Sequence, residues 1–284
     1  MNLLKTCIFT ALWGAASWSM ASTINSVPSC YAANKLPMAA PAPEREVFIL
    51  LDQTTPLDAS LQKSVMDNAG RLIQPGTAYS IATFSSFGQG RYLELLSAGT
   101  LEVPLPEATR SSVGVKVLRS LDACLTGQQN YVRKAAATAL QQAMAGISAD
   151  YAKSDVMASV KEMSARINQS PAPSKILFLV SDMLENSGVS SFYANRNVRS
   201  LNANTELQKA ASAGMLADLA GARVFVLGAG LVQDANSKGF AKDSGIYRDP
   251  KTMAALKDFW SQYFQRSDAK LQEFGMPALL VPVQ

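Results

Sequence analysis

The chain contains no histidine in 284 residues. That absence removes Ser-His-Asp and Cys-His catalysis and the usual zinc sites. Any metal must be held by oxygen ligands, which means a hard cation such as Mg²⁺, Mn²⁺ or Ca²⁺. Acid–base work would fall to carboxylates, Lys, Tyr or water. Cysteine is scarce, with only Cys7, Cys30 and Cys124. Neither sign of charge dominates: 26 basic residues face 22 acidic ones without clustering along the sequence, so there is no nucleic-acid footprint. After the first 21 residues there is no long apolar run, and nothing there reads as a membrane span.

Residues 1–21 read as a secretory signal peptide. Lys5 supplies a positive start, residues 7–18 a short apolar region, and Ser19-Met20-Ala21 a small-x-small cleavage site. The mature chain is therefore expected to be soluble and exported, either periplasmic or secreted. Cys7 leaves with the leader. Cys30 and Cys124 remain, and in an oxidising compartment such a pair suggests a disulfide, the alternative being two buried thiols. The bond would tie the N-terminal segment to the middle of the chain and contribute about 4–5 kcal/mol in the chain-entropy model. Residues 22–45 form an irregular arm with Pro28, Pro37, Pro41 and Pro43.

What the sequence does have is a set of buried-strand signatures. Val47, Phe48, Ile49, Leu50 and Leu51 form a continuous apolar run that stops at Asp52, as a strand covered on both faces does. Thr55-Pro56-Leu57-Asp58 follows as a helix start, with Thr55 as N-cap and Asp58 completing a capping box. The helix then places Leu57, Leu61, Val65, Ala69 and Leu72 on one face. Residues 78–84 and 91–96 read as two strands joined by a Gly88/Gly90 turn, an antiparallel hairpin. Residues 97–130 are loop-like apart from a short helix at 113–121. Helices are expected over 131–147 and 155–167, then a buried strand over 175–181 that again ends on an acid, Asp182. A polar loop spans 183–200. A helix over 204–220 is closed by Gly221, a strand covers 223–227, a helix opens at Asp249-Pro250, and a last strand covers 279–283. The order β-α-β-β-α-α-β-α-β-α-β predicts an α/β domain over 46–284. Its sheet is open and mostly parallel, with helices on both faces and one antiparallel strand.

Asp52 and Asp182 each end a buried strand at the same sheet edge, where open α/β sheets bind ligands. Thr54 adds a hydroxyl two residues after Asp52, and carboxylates with hydroxyls suit a hard divalent ion. On these residues, on the hairpin after the first helix and on the RVFVLGAG strand, the chain resembles the von Willebrand factor A (VWA) domain over about residues 47–283. The resemblance implies a domain that binds a protein partner. It also implies a metal-ion-dependent adhesion site built from an Asp-x-Ser-x-Ser loop, a Thr from a second loop and an Asp from a third, with Mg²⁺ or Mn²⁺ bound. Asp52 matches the first Asp, Thr54 the first Ser and Asp182 the third-loop Asp, while Thr126 is the candidate for the second-loop Thr. Pro56 stands in place of the second Ser and brings no side-chain oxygen, so the site is degenerate.

Two other readings stay open. Haloacid-dehalogenase-like enzymes also carry an Asp after a buried strand, and Asp52 would then be an Mg²⁺-assisted nucleophile. Thr54 stands where those phosphatases need a second Asp as general acid. The third reading is a structural component of an envelope assembly with a vestigial site, docking through Phe259, Trp260, Tyr263 and Phe264. The helical spacing of those aromatics favours core packing.

Overall fold

The computed structural model describes residues 27–86, 93–148, 153–194, 197–232 and 249–284. The signal-peptide segment, the Gly88/Gly90 turn and the first two residues of the expected strand at 91–96 lie outside the described residues. In chain order the elements are α1 (Cys30–Ala33), β1 (Arg45–Asp52), α2 (Ala59–Leu72), β2 (Thr77–Phe84), β3 (Glu94–Thr100), α3 (Glu107–Arg110), α4 (Val115–Ala145) and α5 (Val156–Gln169). Then come β4 (Ser174–Val180), the short pair β5 (Tyr193–Ala194) and β6 (Asn197–Val198), α6 (Ala203–Ser212), β7 (Ala222–Leu227), α7 (Pro250–Arg266) and β8 (Ala269–Phe274).

Six strands form one sheet in the order β3-β2-β1-β4-β7-β8, and β5-β6 stands apart. Five strands run parallel, and β3 returns antiparallel to β2. This is the expected α/β class, with the hairpin on which the VWA resemblance rests. Alternation splits the apolar run of β1 between two layers. Val47, Ile49 and Leu51 pack with α2 and α4, while Phe48 and Leu50 pack with α5 and α7. The chain leaves β1 for β2 on one side and later crosses back to β4 on the other. The carboxyl ends of β1 and β4 thus flank the point where the strand order reverses, the usual crevice of such sheets.

Several expectations are corrected. Asp58, not Thr55, is the N-cap of α2, its Oδ1 accepting from the Leu61 amide at 2.8 Å. Thr55 and Pro56 lie in the preceding loop. The segment 122–130 is not a loop but the interior of the 31-residue α4. The sequence concealed this because few side chains in its first half are buried, Leu121 and Gln128 among them. α6 stops at Ser212, eight residues early. Gly214 adopts φ 67°, the Met215 amide reaches Ala210 O and the Gly214 amide Ala211 O, a glycine-terminated helix end. The last strand is β8, whose exposure alternates as at a sheet edge. The apolar 279–283 segment is instead a tail, pinned where the Val283 amide donates to Asn68 Oδ1 at 2.9 Å. The four α7 aromatics are fully buried, which rules out their use as a docking face. Their rings meet one another edge-on, tilted or stacked at 5.0–6.1 Å.

The arm is anchored. Cys30 and Cys124 are disulfide-bonded across a separation of 94 residues. Around the bond Cys30, Tyr31, Leu105 and Leu121 form a small separate core. Glu102 ties it down, accepting from Ser29 Oγ at 2.5 Å and from the Cys30 amide at 2.7 Å.

Candidate functional site

β1 delivers Asp52 to the carboxyl edge and β4 delivers Asp182, so sheet topology brings these two acids together. Both are enclosed, at 1% and 2% exposure. Asp52 Oδ1 accepts from the Thr54 amide at 2.9 Å and from Thr54 Oγ1 at 2.6 Å. Its Oδ2 accepts from Ser154 Oγ at 2.9 Å and from Ser181 Oγ at 2.8 Å. Asp182 Oδ1 accepts from the Leu184 amide at 2.8 Å, and Oδ2 from the Tyr193 hydroxyl at 2.7 Å. The Asp182 amide donates to Thr55 Oγ1 at 2.9 Å. Thr55, freed from capping, thereby clamps the β1–α2 loop onto the loop after β4.

The electrostatics follow from enclosure. Burial pushes the Asp52 carboxyl above its ordinary value, against the pull of its hydrogen bonds with Thr54, Ser181 and Ser154. Burial, and after it the charge of Asp52, pushes Asp182 well above the usual carboxylate range. Tyr193 is raised too, first by burial and then by Asp182. Glu185, three residues after Asp182, is 1% exposed and pushed up to about 7, chiefly by burial. Its Oε2 accepts from the Met157 amide at 2.9 Å. That bond serves an N-terminal donor of α5, whose own N-cap Asp155 makes no side-chain capping bond. Between the two acids Met183 holds φ 59°, and its carbonyl accepts from Trp260 Nε1 at 2.8 Å. A non-glycine residue in this region costs roughly 1 kcal/mol or more, and the indole bond is one contact that holds it there. Gly228, at φ 105°, places its missing Cβ 3.0 Å from Ser181 O. Only glycine lets the β7 turn approach the site so closely.

The structure brings Asp52, Thr54 and Asp182 together and leaves Thr126 elsewhere. Thr126 sits on exposed α4 surface, donates to Asp122 O at 3.0 Å, and lines a groove with Pro75 and Leu101 at the amino edge of the sheet. The hydroxyl that does reach Asp52 from a second loop is Ser154, just ahead of α5. Sequence reading missed Ser154, Ser181 and Tyr193. Ser181 had a visible cue, its position directly before the strand-ending acid. A lone serine before a helix carries no comparable signal.

As arranged, this donor set is engaged in internal hydrogen bonds. Both oxygens of Asp52 already take two hydrogens each, Tyr193 covers Asp182, and Pro56 offers no oxygen. Nor is Asp52 presented as a nucleophile, since both its oxygens are enclosed and hydrogen-bonded.

No family model matches the chain, and no curated protein matches it. Among solved structures, one similar in fold is an aerotolerance-related membrane protein from Bacteroides fragilis, at 11% identity and TM-score 0.35, covering 82% of this chain and 92% of that one. Another is the conserved hypothetical protein BatB from Bacteroides thetaiotaomicron, at 11% identity and TM-score 0.38, covering 81% and 90%. A third is the PilB minor pilin from Streptococcus sanguinis, at 10% identity and TM-score 0.44, covering 84% of this chain and 58% of that one.

Proposed function

We propose that this chain is an exported, protein-binding domain of VWA-like architecture that docks its partner on the carboxyl edge of the sheet. The observation that carries the reading is the convergence at the β1/β4 crevice of three loops, locked by the hydrogen bonds of Asp52 and Asp182. Buried acids satisfied by neighbouring hydroxyls and amides make a rigid rim, and a preorganised rim lowers the entropy cost of docking. In this reading the acids brace the rim from beneath. The partner meets the half-buried surface above them, at Gln53, Thr54 and Pro56 and at residues 186–191. The disulfide supports export, because such bonds persist in oxidising compartments. No helix among the described residues is long and apolar enough to cross a membrane.

Site-specific photo-crosslinking in the exporting cell tests the reading. A crosslinking side chain at Gly188 has open space around it, and one at Pro56 samples the neighbouring loop. Lys134, exposed on α4, is the control. The expected result is a discrete protein adduct from positions 56 and 188 and none from 134. Adducts from all three alike, or from 134 alone, would remove the carboxyl edge from its proposed role.

A further inference from the structure

The opposite edge of the sheet carries a feature that partner docking at the carboxyl edge does not use. Strands β1, β4, β7 and β8 begin with Arg45, Ser174, Arg223 and Lys270 at or near their first positions. The register pairs Arg45 with Ser174, Arg223 with Ile176, and Arg223 with Lys270. Side chains alternate along a strand. Val47, Ile176 and Phe225, each two residues from Arg45, Ser174 or Arg223, all belong to the core layer of α2 and α4. Arg45, Ser174 and Arg223 therefore share one face across adjacent strands, and Lys270, opposite in sense to Leu271, extends the row. Both arginines are half-buried.

Among the described residues neither Arg45, Arg223 nor Lys270 forms a salt bridge. Among the described residues Arg223 makes one side-chain hydrogen bond, Nη2 to Ser174 Oγ at 3.5 Å, against the five N–H donors a guanidinium carries. Burial, and after it the charge of Arg45 on the same face, lowers the pKa of Arg223. The other face of the same edge shows the usual remedy. There Glu46 lies within the field of Arg166 and Lys175. Half-burying two like charges on one face is unfavourable, and a bound anion would reverse the sign.

We propose that this row is a binding site for a phosphate group, held between the Arg45 and Arg223 guanidiniums with Ser174 Oγ beside it and Lys270 at the rim. Guanidinium forks match phosphate oxygens bidentately. A free phosphate near its dianionic form balances both arginines, and a headgroup phosphodiester balances one of them while offering a non-bridging oxygen to each guanidinium. The phosphate is either free or part of a phospholipid headgroup.

The test uses the full exported chain with its disulfide intact. Inorganic phosphate is titrated at constant ionic strength against chloride, on the wild type and on Arg45→Gln, Arg223→Gln and, as the opposite-face control, Arg166→Gln. Saturable phosphate binding is expected, weakened about tenfold or more by either Arg45→Gln or Arg223→Gln and unchanged by Arg166→Gln. Without phosphate, Arg223→Gln should melt at or above the wild-type temperature, since it removes a repulsion. A lost site is thereby distinguished from a lost fold. Equal stabilisation by chloride and phosphate, or unchanged affinity in both Gln variants, would overturn the site. Vesicles of phosphatidylglycerol against pure phosphatidylcholine distinguish the two sources. Retention on the anionic vesicles that both Gln variants abolish identifies the headgroup. Phosphate binding without retention identifies the free anion. Retention that the Gln variants leave intact counts against the site.

Discussion

Two donors converge on Asp182, the Leu184 amide and the Tyr193 hydroxyl, and both lose their acceptor if the carboxylate is removed. Asp182→Ala should therefore destabilise the protein by roughly 2–5 kcal/mol, a buried unsatisfied donor costing about 1–3 kcal/mol. Asp182→Asn keeps an acceptor and should cost much less, and urea unfolding of the two variants measures the difference. The pH dependence has a definite sign. Glu185 rises from 4.5 to about 7, and Asp52 and Asp182 also rise. A raised folded-state pKa means that the folded protein holds protons the unfolded chain releases, so the associated stability is full below the unfolded value and is lost as pH climbs through the folded one. Stability should fall between about pH 4.5 and 7, by about 3 kcal/mol from Glu185 alone. The depressed acids Asp122, Glu206 and Asp249 act in the opposite sense, at lower pH. Melting temperatures across this window should decline with rising pH in the wild type and flatten in Glu185→Gln, and a rising profile would contradict the assignment. At this scale the sequence displayed the strand-ending acids but not their partners. Ser154 lies 102 residues from Asp52, and only the fold decides which distant hydroxyl arrives.

Whole elements were legible where burial imposes a pattern. β1, β4 and β7 are enclosed on both faces and appear as unbroken apolar runs, and the aromatics of α7 recur at helical spacing. β8 is half polar because it closes a sheet edge, and the first half of α4 shows little periodicity because solvent surrounds most of it. That half-helix is held by its disulfide to α1 and by the small core around Tyr31. Cys124→Ser, or reduction, should cost about 4–5 kcal/mol in the chain-entropy model. Hydrogen exchange should quicken in α1 and the first half of α4 before it does in the sheet. Uniform quickening would mean that the small core around Tyr31 is not a separate unit. Gly228 connects β7 to the site. Its positive φ and its 3.0 Å clearance from Ser181 O predict that Gly228→Ala costs about 1–3 kcal/mol. The variant should also disturb the Asp182–Tyr193 bond, seen as altered tyrosine fluorescence or ring chemical shifts.

At the scale of the molecule, the strand order places two chemically different edges at opposite ends of one sheet. The carboxyl edge gathers buried acids that are hydrogen-bonded from within, and the amino edge gathers two half-buried arginines that form no salt bridge among the described residues. The sequence predicted the first edge because topology sends every parallel strand's end to the same side. The second escaped notice because its arginines are far apart in the chain and meet only through strand register. We propose that the acid pair at the carboxyl edge is an internal brace and not an ion site. Calorimetric titration of the chelated wild type with Mg²⁺ and Mn²⁺, with Asp182→Asn in parallel, decides between brace and ion site. A brace gives no saturable heat from either protein and no metal-dependent change in melting temperature. Saturable binding by the wild type that Asp182→Asn abolishes would contradict it and make the edge a working adhesion site for a divalent cation.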